Sequence, residues 1–150
     1  MPQSEEQKSV IALHKVLGGE RLAIQSYNSS LDQMDDKKVK QLLTAFHDDH
    51  KLIIERIKSR LRSLGAEPKA KMRMTALIDK VMMKVAGLIG FGPNDKEIIE
   101  KIYNNEAKCL QKIKRVKTSE LESQSQKLID RIKTINSNNI AQIKDLLNKY

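Results

Sequence analysis

Apolar residues recur along this chain in alternating steps of three and four, the spacing of a helix that buries one face. Four stretches carry the pattern, at about residues 4–30, 37–64, 94–117 and 122–147. Short polar turns separate the first stretch from the second and the third from the fourth, so each pair is predicted to form an antiparallel hairpin. The pattern therefore predicts an all-α fold, a single four-helix-bundle domain over residues 1–150.

The segment between the two predicted hairpins has a different character. Lys69, Lys71 and Arg73 flank an apolar, methionine-rich stretch near residues 72–89, which ends at Gly90-Phe91-Gly92. This length of chain can run the whole length of a bundle, so we predict a long crossover containing an extra helix. Its apolar face is expected to cover the core or a second copy of the chain, which predicts a homodimer through the crossover helix. The basic flank leaves peripheral contact with an anionic membrane as an alternative.

Polar residues interrupt the apolar seams. Glu20 lies on the first seam, His47 and His50 lie on the second, and Glu106 lies on the third. Ionisable side chains are costly to bury unless something pairs with them. These four residues are therefore the candidate site. Asp48 and Asp49, next to the histidines, are interpreted as solvated, and Tyr27 is interpreted as a packing residue.

The second half of the chain repeats the first. Glu106 corresponds to Glu20 at an offset of 86 residues (106 − 20), and the fourth seam corresponds to the second at an offset of 89. At the second offset, the two histidines correspond to Asn136 and Asn139. The difference of three residues predicts a slightly longer turn in the second hairpin.

The chain resembles ferritin-like proteins in the spacing of Glu20, Ala23 and Tyr27, in its paired histidines, in the Leu64-Gly65-Ala66-Glu67-Pro68 helix stop and in the crossover. The resemblance is strongest to small bacterial ferritin-like four-helix bundles of unknown function, with rubrerythrins and demethoxyubiquinone hydroxylases more distant. It implies two metal ions held by a Glu from each of two helices and a Glu-x-x-His motif from each of the other two.

The match to that ligand pattern is incomplete. Glu20, His50 and Glu106 fit it, whereas His47 stands where a bridging Glu is expected. Asn136 and Asn139 stand where the second Glu-x-x-His is expected. The chain therefore offers two seam carboxylates where a di-iron centre needs about four.

Three hypotheses for the site remain open. The polar residues form a buried hydrogen-bond network, or Glu20, His47, His50 and Glu106 bind one zinc, manganese or iron ion, or a dinuclear redox site forms. They predict, in turn, a non-catalytic bundle, a protein that binds at most one ion, and a metal-dependent oxidoreductase or iron-handling protein. A helical module that attaches to a membrane or partner through the crossover is a further alternative.

Composition narrows these classes. No nucleophile–base arrangement or glycine-rich phosphate loop is present, so no catalytic residue and no organic cofactor are predicted, and an enzyme would depend on metal. The formal charge of +9 is spread along polar helix faces, and the few aromatic residues show no stacking pattern, which does not favour nucleic-acid binding. The single Cys109, which is interpreted as a small buried residue, and the polar N-terminus predict a cytoplasmic protein.

Overall fold

The computed structural model describes residues 2–69 and 93–150. Its four helices are α1 (Glu5–Ser30), α2 (Lys37–Ser63), α3 (Asp95–Lys114) and α4 (Ser123–Leu147), and these two ranges contain no strand. The all-α prediction is therefore confirmed. The predicted extra helix near residues 72–89 lies outside the described residues, as does the apolar face proposed for a dimer or a membrane. None of the described helices is long and apolar enough to cross a membrane.

Each helix begins at a side chain that accepts hydrogen bonds from free backbone N–H groups of the first turn. Ser4 and Gln7 form a capping box on α1, Asp36 caps α2, Asn94 caps α3 and Glu122 caps α4. At the other end of α2, Gly65 adopts φ +77°, and the N–H of Ala66 bonds the carbonyl of Leu61. That C-terminal arrangement needs a left-handed residue, which explains the glycine.

The apolar core has two parts. The first cluster contains Leu13, Leu17, Ile53, Ile57, Ile113, Ile129 and Ile132 among others. The second cluster contains Tyr27, Leu43, Phe46, Ile99, Ile102 and Ile143 among others. α1 and α4 run from the first cluster to the second, whereas α2 and α3 run from the second to the first, so both hairpins are antiparallel. The chain leaves α2 at one end of the bundle and enters α3 at the other, as a crossover requires.

The second hairpin repeats the first at one offset, not two. Every buried position of α4 lies 86 residues after a buried position of α2, and the caps agree (122 − 36 = 86). The predicted offset of 89 is therefore wrong. His50 corresponds to Asn136, His47 corresponds to Lys133, and Asn139 corresponds to the core residue Ile53. Tyr150, which the longer offset placed on the seam, is exposed.

Candidate functional site

A polar layer separates the two apolar clusters, and His50 lies at its centre. The imidazole is fully buried between two buried carboxylates. Its Nδ1 contacts Oε2 of Glu20 on α1, and its Nε2 lies 2.5 Å from Oε1 of Glu106 on α3. One residue of α2 thus links both neighbouring helices, and three of the four predicted site residues come together.

Two further side chains complete this network. The hydroxyl of Tyr27 donates to Oε1 of Glu106 at 2.6 Å, and the amide of Asn136 donates to Oε1 of Glu20 at 2.7 Å. All four helices are thereby connected through buried hydrogen bonds. Tyr27 packs in the second core cluster, as predicted, and its hydrogen bond to Glu106 is an additional role that was not predicted.

The arrangement favours a positive charge on His50. Burial by itself would lower the pKa of this imidazole, but its hydrogen bonds to Glu106 and Glu20 and the negative charges of both raise the pKa to about 10. Ionised carboxylates only accept hydrogen bonds, so both ring nitrogens carry protons when they face two of them. Burial and the nearby Glu106 carboxylate also raise the pKa of Tyr27, which remains a neutral donor.

The remaining predicted residues lie beside this network. His47 is half-buried, its Nδ1 lies 3.2 Å from the exposed carboxylate of Asp48, and its ring meets Tyr27 edge-on with centroids 6.2 Å apart. The amide of Asn139 donates to Asp49 at 3.2 Å. Asp48 is exposed, as predicted, whereas Asp49 is half-buried and accepts a hydrogen bond from Asn139 that was not predicted. Asp49 could have been identified from Asn139, because a buried amide on α4 needs a hydrogen-bond partner on a neighbouring helix.

Two buried acceptors in the layer have no hydrogen-bond partner in the described part of the chain. They are Oε2 of Glu106 and Oδ1 of Asn136. An unpaired buried acceptor costs about 1–3 kcal/mol. Each of these two oxygens could still accept a hydrogen bond or contact a cation.

The donor set does not fit the dinuclear centre that the resemblance implied. That centre uses a carboxylate and a histidine from each of two helices in addition to two further carboxylates. In α4 the equivalent positions hold Lys133, a cation, and Asn136, whose amide nitrogen faces Glu20. In α2 both nitrogens of His50 face carboxylates. Within residues 2–69 and 93–150, no three His, Cys, Asp or Glu side chains converge as a metal site would require.

Cys109 and the Gly18-Gly19 pair lie near Glu20 but supply no reactive group. The Cys109 thiol donates to the carbonyl of Gly19 at 3.3 Å, and burial raises the pKa of the thiol to about 12. It is therefore unreactive at neutral pH, as expected of a buried cysteine. Added Cβ atoms at Gly18 and Gly19 would meet nothing within 4 Å, so tight helix packing does not explain the pair.

One family model and two solved structures are similar to this chain. A family model described as "Domain of unknown function (DUF2383)" matches residues 8–119. One similar structure is a two-domain protein from Anabaena variabilis with DJ-1/ThiJ/PfpI-like and ferritin-like domains, at 15% identity and TM-score 0.76. The match covers 98% of this chain but 37% of that one. No curated protein matches the chain.

A second similar structure belongs to ferritin-like, diiron-carboxylate proteins from Bacillus anthracis. Identity is 14% and the TM-score is 0.68, and the match covers 97% of this chain and 99% of that one. Likeness at such low identity establishes a shared fold. The predicted ferritin-like four-helix bundle is therefore confirmed.

Proposed function

The chain belongs to the family described as "Domain of unknown function (DUF2383)", and we propose that it is a non-catalytic ferritin-like module. In this proposal, a charged hydrogen-bond network takes the position of the dinuclear metal centre. The observation that carries the proposal is the imidazole of His50 between the carboxylates of Glu20 and Glu106. An imidazolium there offsets one of the two buried negative charges and donates a hydrogen bond to each carboxylate.

The network also has a structural role that requires no chemistry. It connects side chains from all four helices within one layer of the bundle. Sliding α1, α2 or α3 by a turn would break at least two buried hydrogen bonds at once. Buried polar contacts of this kind fix the register of helices that apolar packing alone leaves free.

A second candidate is a site for a single metal ion. The buried Oε2 of Glu106, which has no partner among the described residues, favours it. Glu20, His50 and Glu106 would be the ligands, with His47 brought in by a change of side-chain rotamer. Two carboxylates and one or two imidazoles suit zinc, manganese or ferrous iron. Catalysis as a di-iron-type oxidoreductase has less support, because α4 supplies neither a carboxylate nor a histidine to the layer.

Metal analysis and thermal unfolding separate these candidates. For the module, we expect purified protein without bound metal and a melting temperature that zinc, manganese and ferrous iron leave unchanged. Glu106→Ala should then lower the unfolding free energy by about 1–3 kcal/mol with or without metal, because it removes a buried acceptor of two hydrogen bonds.

The matched control is Glu100→Ala, which removes the same charge from an exposed position of α3. It should leave stability nearly unchanged. If one metal ion per chain is bound by the native protein and by the Glu100 variant but lost from the Glu106 variant, the single-ion site replaces the module proposal. A melting temperature that rises with added metal would point the same way, since a ligand of the native state alone stabilises it by mass action.

A further inference from the structure

The side of the bundle between α2 and α4 forms an open groove. These two helices make far fewer contacts with each other than either makes with its hairpin partner. The groove has a volume of about 520 Å³. The residues that line it include Arg56 and Arg60 from α2 and Gln124, Lys127, Leu128 and Arg131 from α4.

The groove lies between two cross-links that join the helices. At one end Arg60 pairs with Glu122 at 2.9 Å and also donates to Gln124 at 2.8 Å. Towards the middle of the bundle, Asn139 donates to Asp49. The two cross-links join the antiparallel walls at either end of the groove.

The charge of the groove is uncompensated. Arg56, Lys127 and Arg131 form no ion pair within the described residues, and no acidic side chain lines the groove. Only Arg60 has a carboxylate partner. Three like charges on facing helices repel one another and attract an anion, more strongly at low ionic strength.

The spacing of the cations suits an extended peptide. On α4, Lys127 and Arg131 lie four residues apart, which is about 6 Å along the axis, and Arg56 lines the same groove from α2. Alternate side chains of an extended peptide lie about 6.6 Å apart on one face. Acidic side chains at every second position can therefore meet successive cations, and arginine can hold a carboxylate with two hydrogen bonds.

Apolar contacts are available beside these charges. Leu128 is half-buried within the groove, and Leu52, one turn before Arg56 on α2, is 54% exposed. No aromatic side chain lines the groove. Proteins that hold single-stranded nucleic acid commonly stack bases on aromatic rings. The lining therefore favours a peptide with carboxylates and some apolar side chains over nucleic acid.

We propose that the groove between α2 and α4 binds an acidic, extended segment of a partner protein, with Arg56, Lys127 and Arg131 as the main contacts. The bound segment lies along the groove with its carboxylates towards these cations. Arg60 and Glu122 hold one end of the groove in shape. The proposal does not depend on whether the core layer binds an ion, because none of these side chains belongs to that layer.

The test is fluorescence anisotropy with a labelled short peptide in which Glu alternates with Ala and Leu. We expect saturable binding to the full chain that weakens as salt is raised. The variant R56Q/K127Q/R131Q should bind at least about tenfold more weakly, since each exposed ion pair contributes a modest amount. Circular dichroism should report an unchanged helical fold, because these residues are not in the core.

The matched control is K15Q/K108Q/K144Q, which removes three exposed cations from other helix surfaces and gives the same net charge. It should bind the peptide as the wild type does. Equal losses in both triple variants would attribute binding to net charge and overturn the proposal. Absence of peptide binding at low salt would also overturn it, as would groove-dependent binding of an oligothymidylate in place of the peptide.

Discussion

The two hairpins occupy equivalent places in the bundle but contribute different chemistry to the polar layer. At the common offset of 86 residues, Glu20 and Glu106 are equivalent, whereas His50 of the first hairpin corresponds to Asn136 of the second. His50 contacts both carboxylates. Asn136 contacts only Glu20 and leaves its own carbonyl oxygen without a partner among the described residues.

The difference concerns charge more than shape. The imidazole of His50 in the first hairpin can carry a positive charge, whereas the amide of Asn136 in the second hairpin is neutral. The position three residues earlier differs as well. Lys133 takes the place of His47, and its Nζ lies 3.9 Å from Oδ1 of Asp130, away from the layer. One imidazolium offsets one of the two carboxylate charges, and the Tyr27 hydroxyl and the Asn136 amide donate hydrogen bonds to the carboxylates as well.

The largest effect is expected from making the first hairpin resemble the second. His50→Asn removes the cation between two buried carboxylates, and breaking a buried ion pair from one side costs about 3–5 kcal/mol. Urea unfolding followed by circular dichroism measures the loss. The control is His47→Asn, the same substitution at a half-buried residue whose partner is exposed, with an expected cost below about 1 kcal/mol. Similar losses in the two variants would contradict the central role of His50.

A second effect is expected in the dependence of stability on pH. The pKa of His50 is about 10 in the folded protein against its usual value of 6.5, so the folded state binds the proton more tightly. The stabilisation is fully present below pH 6.5 and is lost as pH rises towards 10. Between pH 7 and 8.5 the unfolding free energy should fall by up to about 1.4 kcal/mol per pH unit. The pKa of Cys109 rises from its usual value of 9.0 to about 12 in the folded protein, so this thiol adds a fall of the same sign only near the upper end of the interval.

The same two variants test the source of that slope. His50→Asn should flatten it, because the titrating group is gone, whereas His47→Asn should preserve it. Urea unfolding at a series of pH values gives the slope for each protein. A slope that survives in the His50 variant would assign the pH dependence to other groups.

The helices themselves were predictable because their signals are local. Alternating three- and four-residue spacing and polar caps predicted α2 over residues 37–64, against the observed Lys37–Ser63. The carboxylates Glu20 and Glu106 were found because a charge on an apolar seam conflicts with burial. Both inferences need only neighbouring residues.

The alignment of α4 was harder for a geometric reason. Three residues turn a helix by about 300°, so a shift of three leaves a side chain on nearly the same face. Asn136 and Asn139 are both buried and both fit the seam, and sequence alone could not choose between offsets of 86 and 89. The same ambiguity applied to His47 and His50. Packing against the other helices decides which of each pair faces the centre.

The smallest effect tests that choice directly by comparing the two asparagines. Asn136→Ala leaves the buried Oε1 of Glu20 without its donor and should cost about 1–3 kcal/mol of unfolding free energy. Asn139→Ala removes the same amide one turn further along α4. Its partner Asp49 is half-buried and can bind water once the amide is gone, so the expected cost is about 1 kcal/mol or less.

Urea unfolding of both variants under one set of conditions measures the difference, and the two substitutions remove the same atoms from the same helix. The order of the two costs is therefore a measure of which asparagine completes the network of His50. A greater cost at Asn139 would mean that α4 is rotated relative to the arrangement described, with Asn139 in the central layer as the longer offset predicted. A greater cost at Asn136 supports the single offset, because only that register places this amide against Glu20.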